Sequence, residues 1–565
     1  MRNRFLFALS LALITALTLP AFIYAQRNGT AQKTAPPVTV GGPVPTTRKT
    51  ADAEEIEKDV SEALTVIQDQ YIDGNKLDYN NVFKSSITGM LRSLDPHSNY
   101  FDRAEFDEFR TDQRSEYYGI GATIGDLREG EQVNTFIRAT FENAPAWKAG
   151  LRYGDRILEV DGKDMRGKNF YEVRQNLRGP RGSIVKVTVE RLASHKVETV
   201  EITRDAVPQP SIPEFYMIRP GVGYIAMSGG FNLTTGDEFD AALENLHSQG
   251  MKQLVIDLRG NGGGLLSQAV HVASKFLPHG QLVLTQKGRV RGSTQPYYSD
   301  NDQPDQTPLV VIVNRGTASA SEILTGALQD HDRALIVGET SFGKGLVQIP
   351  FPLEYGSALL LTIGKYYTPS GRLIQRDYSN AGFYDYYTQG GISRESRQVT
   401  APSGPESRTD TGRAVYGGGG ITPDETVDPR LISPFEQRVT DPVFAFALEL
   451  AAGRVPGYDA YKVQRAIEFD HDLKATEFPM TDALFKSFKD FVAAKNVYKF
   501  TPAQLDKERQ YIERQLRYEI VTAAYGSTTS FQVFNADDPQ ITKAIDLLPR
   551  AQQLAQAALN KRNPS

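Results

Sequence analysis

The sequence predicts a multidomain α/β protein in which a helical segment, a β-rich module, an α/β core and a helical C-terminal domain follow one another. At 565 residues the chain is too long for a single hydrophobic core. Its texture changes from helical periodicity to short alternating strands, and then to strands alternating with helices. A content of 40% hydrophobic and 23% charged residues is typical of globular domains and argues against general disorder or a polytopic membrane protein.

Residues 1–25 have the layout of a secretory signal, because two arginines precede a long apolar run that ends at an alanine. We therefore expect export to the periplasm or cell envelope. The apolar run approaches the ~20 residues that span a bilayer, so an inner-membrane anchor formed by residues 5–25 is the alternative. Residues 26–52 are rich in Thr, Pro, Gly and Ala and predict a flexible linker.

Periodicity then separates a helical region from a β-rich module. In residues 53–112 apolar side chains such as Ile56 and Val60 recur at helical spacing and predict an N-terminal helical region. In residues 113–206, runs of alternating polarity such as Lys186 to Glu190 are separated by glycine turns. This pattern predicts a small β-rich module.

Residues 207–432 predict an α/β core, because apolar strand candidates alternate there with helical stretches. Within it, residues 378–420 are loaded with Tyr, Gly, Ser and Arg, show no sustained period and predict a surface loop. Residues 433–565 predict a helical C-terminal domain, in which Thr501 to Gln504 forms a capping box with proline at the first helical position.

Composition excludes several kinds of chemistry. A formal net charge of -5 provides no basic stripe for a phosphate backbone, so nucleic acid is not an expected partner. The absence of cysteine removes disulfides, thiolate catalysis and cysteine metal sites. No H-E-x-x-H or comparable metal cluster is present. We expect neither a metal nor an organic cofactor.

Ser319 stands where the predicted buried strand Leu309 to Val313 turns into a helix. A helix N-terminus offers free backbone N–H groups and a positive dipole end, which suit a nucleophile and the oxyanion formed during acyl transfer. However, Ser319 and Glu322 also fit the S-x-x-E capping box. This segment alone leaves both interpretations open.

Two glycine-rich segments add to this candidate site. Arg259 to Gly264 follows a strand candidate and would supply a second oxyanion donor, or else form a plain strand-to-helix turn. Gly338 to Gly345 nearly spells a phosphate-binding loop, but Gly345 offers magnesium no hydroxyl and an extended segment follows. The alternative is that Lys344 is a general base, with Gln348 on the same strand face to orient it.

A lysine accepts a proton only when neutral, so this role needs a pKa lowered from ~10.4 toward ~7 to 8 by desolvation or positive charge. A histidine-based serine site is the other possibility, because the chain has seven histidines.

Read together, these segments resemble the C-terminal processing (tail-specific) peptidases, Ser–Lys serine peptidases with an inserted PDZ domain. The resemblance covers most of residues 71–430 and implies a peptidase core of the ClpP/crotonase-like kind. The motifs that carry it, in the family's order, are Ser93 to Ser98, Tyr118 to Gly121, Gly150 to Ile157, Asp257 to Gly264, Thr317 to Glu322, Gly338 to Gln348, Tyr367 to Gly371 and Gly419 to Asp424.

The resemblance implies a catalytic dyad of Ser319 and Lys344 helped by Gln348, because the family's spacing, counted back from Lys344, reaches Ser319. It also implies an oxyanion hole made of backbone N–H groups. These groups belong to Ala320 and to one of Gly262 and Gly263.

The same resemblance implies that residues 113–206 form a PDZ domain, which binds a peptide C-terminus by strand addition. A glycine-containing loop would cap the terminal carboxylate, and two isoleucines would line the pocket for the last side chain. Arg178 is a candidate for signalling PDZ occupancy to the active site. The implied tail-binding residues are Gly119, Ile120, Gly121, Ala122 and Ile124.

We therefore expect an exported serine endopeptidase whose substrates are proteins or peptides with free C-termini. The alternatives are a non-catalytic PDZ scaffold or adaptor, and a His-dependent PDZ protease of envelope quality control. The helical C-terminal domain is a candidate for homo-oligomer formation or for docking a lipoprotein adaptor.

Overall fold

The structure, a computed structural model, describes residues 52–379, 386–387, 404–463 and 466–562. Residues 1–51, which hold the predicted signal or anchor and nearly all of the predicted linker, lie outside the described residues. Along the part of the chain that is described, no helix has the length and apolarity needed to cross a membrane.

The chain divides into two compact units. The larger unit comprises Asp107–Val347 and the chain from Ile363 onward. The smaller unit comprises the described residues up to Phe106 together with Gln348–Thr362.

The smaller unit begins with a capped helix whose apolar stripe faces solvent. The elements up to the β module are α1 (Ala53–Gln70), α2 (Tyr79–Arg92), β1 (Asn99–Phe101) and α3 (Arg103–Asp112). The Asp52 carboxylate accepts the Glu55 N–H at 2.9 Å, and the Glu55 carboxylate accepts the Asp52 N–H in return. Ile56 and Val60, whose spacing predicts α1, are both 51% exposed. The period therefore predicts the helix correctly, but this face is not buried in a core.

The β module is an antiparallel sheet with a helix packed on it. Its elements are β2 (Glu116–Gly119), β3 (Ala122–Glu129), β4 (Gln132–Thr140), α4 (Pro145–Lys148), β5 (Arg156–Val160), β6 (Lys163–Asp164), α5 (Phe170–Leu177), β7 (Ile184–Glu190), β8 (Val197–Thr203) and β9 (Asp205–Pro208). The sheet order is β3-β4-β5-β7-β8, with β6 paired to β5, while β2 pairs with β9. Val185, Val187 and Val189 are fully buried, because alternate side chains of a strand share one face.

The α/β core is built on a six-stranded sheet. Along the chain between the β module and the C-terminal helices, the elements are β10 (Glu214–Arg219), β11 (Val222–Ala226), α6 (Thr235–Ser248), β12 (Gln253–Asp257), α7 (Leu266–Ser274), β13 (Leu282–Gly288), β14 (Gln295–Tyr298), β15 (Leu309–Val313), α8 (Ala320–Asp330), β16 (Leu335–Gly338), β17 (Leu346–Pro352), β18 (Ala358–Tyr367), β19 (Glu406–Arg408), β20 (Ala414–Tyr416) and β21 (Glu425–Thr426). The strand order of the six-stranded sheet is β10-β11-β12-β15-β16-β21, antiparallel at β10 and parallel from β11 onward.

The register of this sheet brings three loops together. Asp257 at the end of β12 pairs with Ile312 of β15, and Val313 pairs with Gly338 at the end of β16. Because parallel strands present their carboxyl ends at one edge, the loops after β12, β15 and β16 gather there. These are the three segments that the sequence marks as candidate chemistry.

The C-terminal region is helical, as predicted. Its helices are α9 (Pro434–Ala451), α10 (Asp482–Ala494), α11 (Pro502–Lys507), α12 (Arg509–Asn535) and α13 (Pro539–Arg562). The predicted capping box is present, with the Thr501 hydroxyl accepting the Gln504 N–H at 3.3 Å. Helix α12 is broken at Gly526, where φ is 88° and ψ is 174°.

Helix α13 covers one face of the central sheet. Val255, Val310 and Ile312 pack against α13 side chains. Their neighbours Leu254, Ile256 and Val311 point to the opposite face, toward α6, α7 and α8. The strands therefore read as continuous apolar runs because both faces of the sheet are buried.

The β module is joined to the C-terminal helices by a buried ion pair. Arg138 of β4 pairs with Glu519 of α12, whose side chain is 1% exposed. Glu519 also accepts the Tyr153 hydroxyl at 2.9 Å. The Arg138 guanidinium lies 3.4 Å from the centroid of the Phe444 ring of α9.

The predicted surface loop 378–420 contains structure that its composition does not indicate. Strands β19 and β20 form a hairpin within it, and Tyr386 is 2% exposed. Tyr386 packs beside Ala318 and Phe342 of the core, so this part of the segment is anchored by aromatic contacts. Residues 380–385 and 388–403 lie outside the described residues.

Candidate active site

Ser319 occupies a strained turn between β15 and α8. Its φ of 57° and ψ of -116° fall where a non-glycine residue is held only if its surroundings fix it. The Ser319 carbonyl oxygen accepts the Glu322 N–H at 2.8 Å and the Tyr366 hydroxyl at 3.0 Å. The backbone is therefore fixed through its carbonyl group.

Glu322 joins the serine turn to the lysine loop, defined here as residues 341–345. Its Oε2 atom accepts the N–H groups of Ser319 and Lys344, each at 2.8 Å. Its Oε1 atom accepts the Gly343 N–H at 2.7 Å and the Ser341 hydroxyl. Burial raises the pKa of this fully buried carboxyl, although the hydrogen bonds oppose the shift. One side chain thus places the candidate nucleophile and the candidate base.

The lysine loop is held by further contacts on the side of Lys344 away from Glu322. The Gly345 N–H donates to Gln375 Oε1 at 2.8 Å, and the Gln375 amide nitrogen donates to the Tyr386 hydroxyl at 3.1 Å. Gly343 has φ 88°, and a Cβ there would lie 2.9 Å from the Gly420 nitrogen. The glycines beside Lys344 therefore permit close backbone packing.

Asn261 organises the glycine loop, defined here as residues 259–264, which follows β12. It is fully buried, and its carbonyl oxygen accepts the Ala318 N–H at 2.9 Å and the Ser321 hydroxyl at 3.0 Å. Its side-chain oxygen accepts the Gly263 N–H at 2.9 Å. A Cβ on Gly263 would lie 2.7 Å from the Ser319 Cβ. The glycine loop therefore lies directly against the serine turn.

These contacts distinguish the two glycines proposed as oxyanion donors. The Gly263 N–H is engaged by Asn261. Within the described residues, neither the Gly262 N–H nor the Ala320 N–H donates to a protein acceptor. The arrangement therefore favours Gly262 together with Ala320.

Gln348 belongs to the smaller unit. Its amide nitrogen donates to the His97 carbonyl oxygen at 2.7 Å. This bond fixes the side chain and assigns its amide oxygen as the remaining acceptor, which suits an ammonium partner.

Histidines of the larger unit are engaged by carboxylates rather than by Ser319. The pairs are His195 with Glu190, His247 with Asp305, His271 with Asp240, His279 with Asp302, His331 with Asp410 and His471 with Glu477. His331 stands at the C-terminal end of α8, whereas Ser319 precedes its first residue. Within the described residues, no three His, Asp or Glu side chains form a group that could hold a metal ion.

The implied tail-binding loop lies at an edge of the β module sheet. Strand β3 is the terminal strand of that sheet and pairs with β4. Gly121 has φ 72°, and a Cβ there would lie 2.3 Å from the Ala144 Cβ, so glycine is required. Ile120 is buried in the module core and Ile124 packs against that core. Arg178 lies 3.6 Å from Glu108 in an ion pair.

The organising roles of Asn261, Glu322 and Gln375 were not predicted from the sequence. Glu322 was interpreted there only as part of a capping box, while Asn261 was one letter of a glycine-rich run. A buried polar residue between glycines is the available signal, because such a side chain must satisfy its hydrogen bonds with the backbone around it.

Comparison with protein families identifies both the β module and the core. A family model described as peptidase family S41 matches residues 221–380, and a PDZ domain model matches residues 137–191. These stretches include the serine turn, the glycine loop, the lysine loop and most of the β module.

Similar proteins extend this assignment. The chain is 37% identical over 305 residues to a carboxy-terminal-processing protease of Bartonella bacilliformis, covering 53% of this chain and 68% of the relative. It is 34% identical over 320 residues to the carboxy-terminal processing protease CtpB of Bacillus subtilis, covering 56% and 65%.

Among solved structures, a photosystem II D1 C-terminal processing protease is 28% identical, with a TM-score of 0.34, and the match covers 66% of this chain and 93% of that chain. The assignment itself rests on the sequence matches. The chain therefore belongs to the carboxy-terminal processing proteases of peptidase family S41, which are serine-type proteases, and it carries a PDZ domain.

Proposed function

We propose that the protein is an exported endopeptidase that binds substrate C-terminal tails through its PDZ domain and cleaves with a Ser319–Lys344 dyad. The observation that carries this proposal is the shared acceptor, since Glu322 Oε2 binds the backbone N–H of both residues at 2.8 Å. A serine and a lysine distant in sequence are thereby fixed to one atom.

In the proposed first step, the Ser319 hydroxyl oxygen attacks the scissile carbonyl carbon while the neutral Lys344 amine takes its proton. The carbonyl oxygen becomes an oxyanion, which the N–H groups of Ala320 and Gly262 stabilise. Ala320 is the first residue of α8, so the helix dipole adds to this stabilisation.

In the second step, the tetrahedral intermediate collapses and the C–N bond breaks. The Lys344 ammonium gives its proton to the leaving amine, and Ser319 keeps the acyl group as an ester. Water then attacks the ester with Lys344 again as the base, which releases the acid product and restores the Ser319 hydroxyl. Gln348 is proposed to orient the lysine through its amide oxygen.

Tail recognition is proposed to occur by strand addition along the open edge of β3. The loop Gly119 to Ala122 would bind the terminal carboxylate, and Ile124 would contact the last side chain. Recognition through backbone groups and one apolar pocket suits unfolded chains with apolar ends. Export follows from the signal-like layout of residues 1–25.

The test is cleavage of an unfolded reporter by the purified full chain. One reporter ends in free apolar residues and its twin ends in two aspartates. Ser319→Ala and Lys344→Ala are compared with Lys486→Ala, which removes an exposed lysine paired with Asp490.

We expect the wild type and Lys486→Ala to cleave the apolar-tailed reporter faster than its twin, and both dyad variants to be inactive. Activity that survives Lys344→Ala would discard the lysine mechanism in favour of a histidine-based one. A wild type that binds the tailed reporter without cutting it would leave the scaffold alternative.

A further inference from the structure

A buried charge cluster connects the glycine loop to the last helix of the chain. Arg259, whose side chain is 14% exposed, is at its centre. Its Nε and Nη2 atoms donate to the Asp257 carboxylate at 2.6 to 3.0 Å. Its Nη1 atom donates to Asp538 Oδ2 at 2.7 Å and to Gln540 Oε1 at 2.9 Å. Each guanidinium nitrogen thus has an acceptor. The acceptor for Nε and Nη2 belongs to the sheet, and the acceptors for Nη1 lie at the start of helix α13.

Arg259 stands at the start of the loop that presents Gly262. Asp257 is the last residue of β12, and its Oδ1 atom also accepts the Arg259 N–H at 2.9 Å. The next residue, Gly260, donates its N–H to Asn314 at 2.9 Å, and Asn261 follows with its contacts to the serine turn. The position of the glycine loop therefore depends on how firmly Arg259 is held.

The two residues on the helix side of Arg259 are held by further hydrogen bonds. Asp538 Oδ1 caps α13 by accepting the N–H groups of Gln540 at 2.8 Å and Ile541 at 3.1 Å. Gln540 is fully buried and also donates to the Val427 carbonyl oxygen at 2.7 Å. Because α13 packs along the central sheet, these bonds tie Asp538 and Gln540 to a helix that is itself anchored on the core.

We propose that Asp538 and Gln540 are positioning residues for peptide hydrolysis, which hold the glycine loop in place by binding Arg259 on the side opposite Asp257. This inference rests on the proposed function, because it assumes that Gly262 is an oxyanion donor. It gives the C-terminal helical region a part in the active site. Small displacements of such a donor are costly in rate, because the stabilisation of the developing charge depends on its geometry.

The test compares two Asp→Asn changes that each remove one ion pair at an end of α13. Asp538→Asn removes the carboxylate that binds Arg259. Asp410→Asn removes the carboxylate that binds Arg562 at 3.0 Å and His331 at 2.9 Å, at the other end of the same helix. Ser319→Ala and Lys344→Ala of the full chain are assayed in parallel.

Three quantities are measured: kcat and KM on the reporter, the inhibition constant of a peptide boronate, and the unfolding temperature. The boronate forms a tetrahedral adduct with serine, so its affinity reports the oxyanion hole. For Asp538→Asn we expect kcat to fall about tenfold with KM unchanged and boronate affinity to fall by a similar factor. Asp410→Asn should lower the unfolding temperature but keep kcat and boronate affinity within about twofold.

Equal kcat and boronate affinity in the two Asp→Asn variants would overturn the inference and leave Asp538 a purely structural role. If Asp538→Asn does not fold, Gln540→Met removes the neutral acceptor of Arg259, together with the bond to the Val427 carbonyl oxygen, and keeps Asp538. This variant should reduce kcat and boronate affinity about threefold. No reduction in that variant would also overturn it. Activity in Ser319→Ala or Lys344→Ala would instead refute the proposed function.

Discussion

The sequence leaves two interpretations of Ser319 open, a helix cap and a nucleophile, and the contacts of Glu322 bear on both. Its carboxylate accepts the Ser319 N–H, as in a capping box. Its own N–H donates to the Ser319 carbonyl oxygen at 2.8 Å. The backbone of Ser319 thus takes part in the cap at both its N–H and its carbonyl oxygen, so a cap and a candidate nucleophile are compatible in one turn.

Gly263 tests how closely the glycine loop must approach the serine. A side chain there would meet the Ala318 oxygen at 2.6 Å and the Ser319 Cβ at 2.7 Å, at a φ of 95°. We expect Gly263→Ala to reduce kcat by at least about a hundredfold, because the serine turn or the loop must move. The measurement is reporter cleavage by the folded variant.

Gly250→Ala is the matched control, because Gly250 also has a positive φ, of 85°, but no atom within 4 Å of an added Cβ. It should lose only about 1 kcal/mol of stability through backbone strain and retain activity. Full activity in Gly263→Ala would show that the loop does not need this close approach.

Sequence reasoning marked the segments of the candidate site but not the contacts that join them. The serine turn, the glycine loop and Lys344 each follow a strand, and parallel strands bring their carboxyl ends together. The bonds made by Asn261 and Gln375 join segments far apart in the chain. Such contacts leave no local pattern, because they depend on the register of the folded sheet.

At the scale of elements, helix α12 is interrupted at Gly526, and a cluster of polar side chains packs beside this break. The His471 ring stacks on Tyr525 with 3.7 Å between centroids. Glu477 accepts the Tyr525 hydroxyl at 2.7 Å, His471 at 3.0 Å and the Lys474 N–H at 2.8 Å. These bonds tie the segment before α10 to the break in α12.

This cluster predicts a pH dependence of local stability. Burial raises the pKa of Glu477, but its hydrogen bonds outweigh that effect and lower the pKa from 4.5 to about 2. A carboxyl with a lowered folded pKa stabilises the folded state above pH 4.5, and the contribution disappears as the pH falls toward 2.

Glu477→Gln should therefore speed hydrogen exchange of the α12 amides at pH 7, and the difference from wild type should shrink as the pH falls below 4.5. Glu57→Gln, on the exposed face of α1, controls for the loss of one negative charge. A difference that is the same at pH 7 and at pH 3 would contradict the role given to the Glu477 carboxylate.

The elements were predicted best where local pattern and burial agree. Alternation predicted β7, and the apolar runs predicted the core strands that alternate with helices. The segment 378–420 was predicted as a surface loop, yet it holds the β19–β20 hairpin. The sequence of this segment shows no repeating apolar spacing. Tyr386 is held by aromatic contacts with residues distant in the chain, and such contacts need no repeating apolar face.

At the scale of the whole molecule, the predicted multidomain architecture with a PDZ domain, a peptidase core and a helical C-terminal region is confirmed. The sequence did not predict that the β module packs on the C-terminal helices. The whole α/β core lies between Arg138 and Glu519 in the sequence, so no local pattern predicts that these two residues pair.

Substitution of Glu519 tests the contact between the β module and the C-terminal helices, called the joint here. Glu519→Ala leaves the Arg138 guanidinium and the Tyr153 hydroxyl without their buried acceptor, and we expect a loss of about 3 kcal/mol in unfolding free energy. The joint also contains an exposed pair, Lys495 with Glu129 at 2.9 Å. Lys495→Ala should cost under about 1 kcal/mol.

Chemical denaturation measures these losses of unfolding free energy, with one spectroscopic signal from the β module and another from the C-terminal helices. A Glu519→Ala loss no larger than that of Lys495→Ala would show that the buried pair does not hold the β module to the helices. A cost confined to the β module signal would show that the module unfolds by itself.

Glu322 Oε2, which accepts the N–H groups of both Ser319 and Lys344, also bears on when during folding the protein would become able to cleave other proteins. The serine turn follows β15 and the lysine loop follows β16, so the two segments meet where these strands pair. Under the proposed dyad mechanism, a chain in which β16 is not yet paired with β15 would therefore lack proteolytic activity.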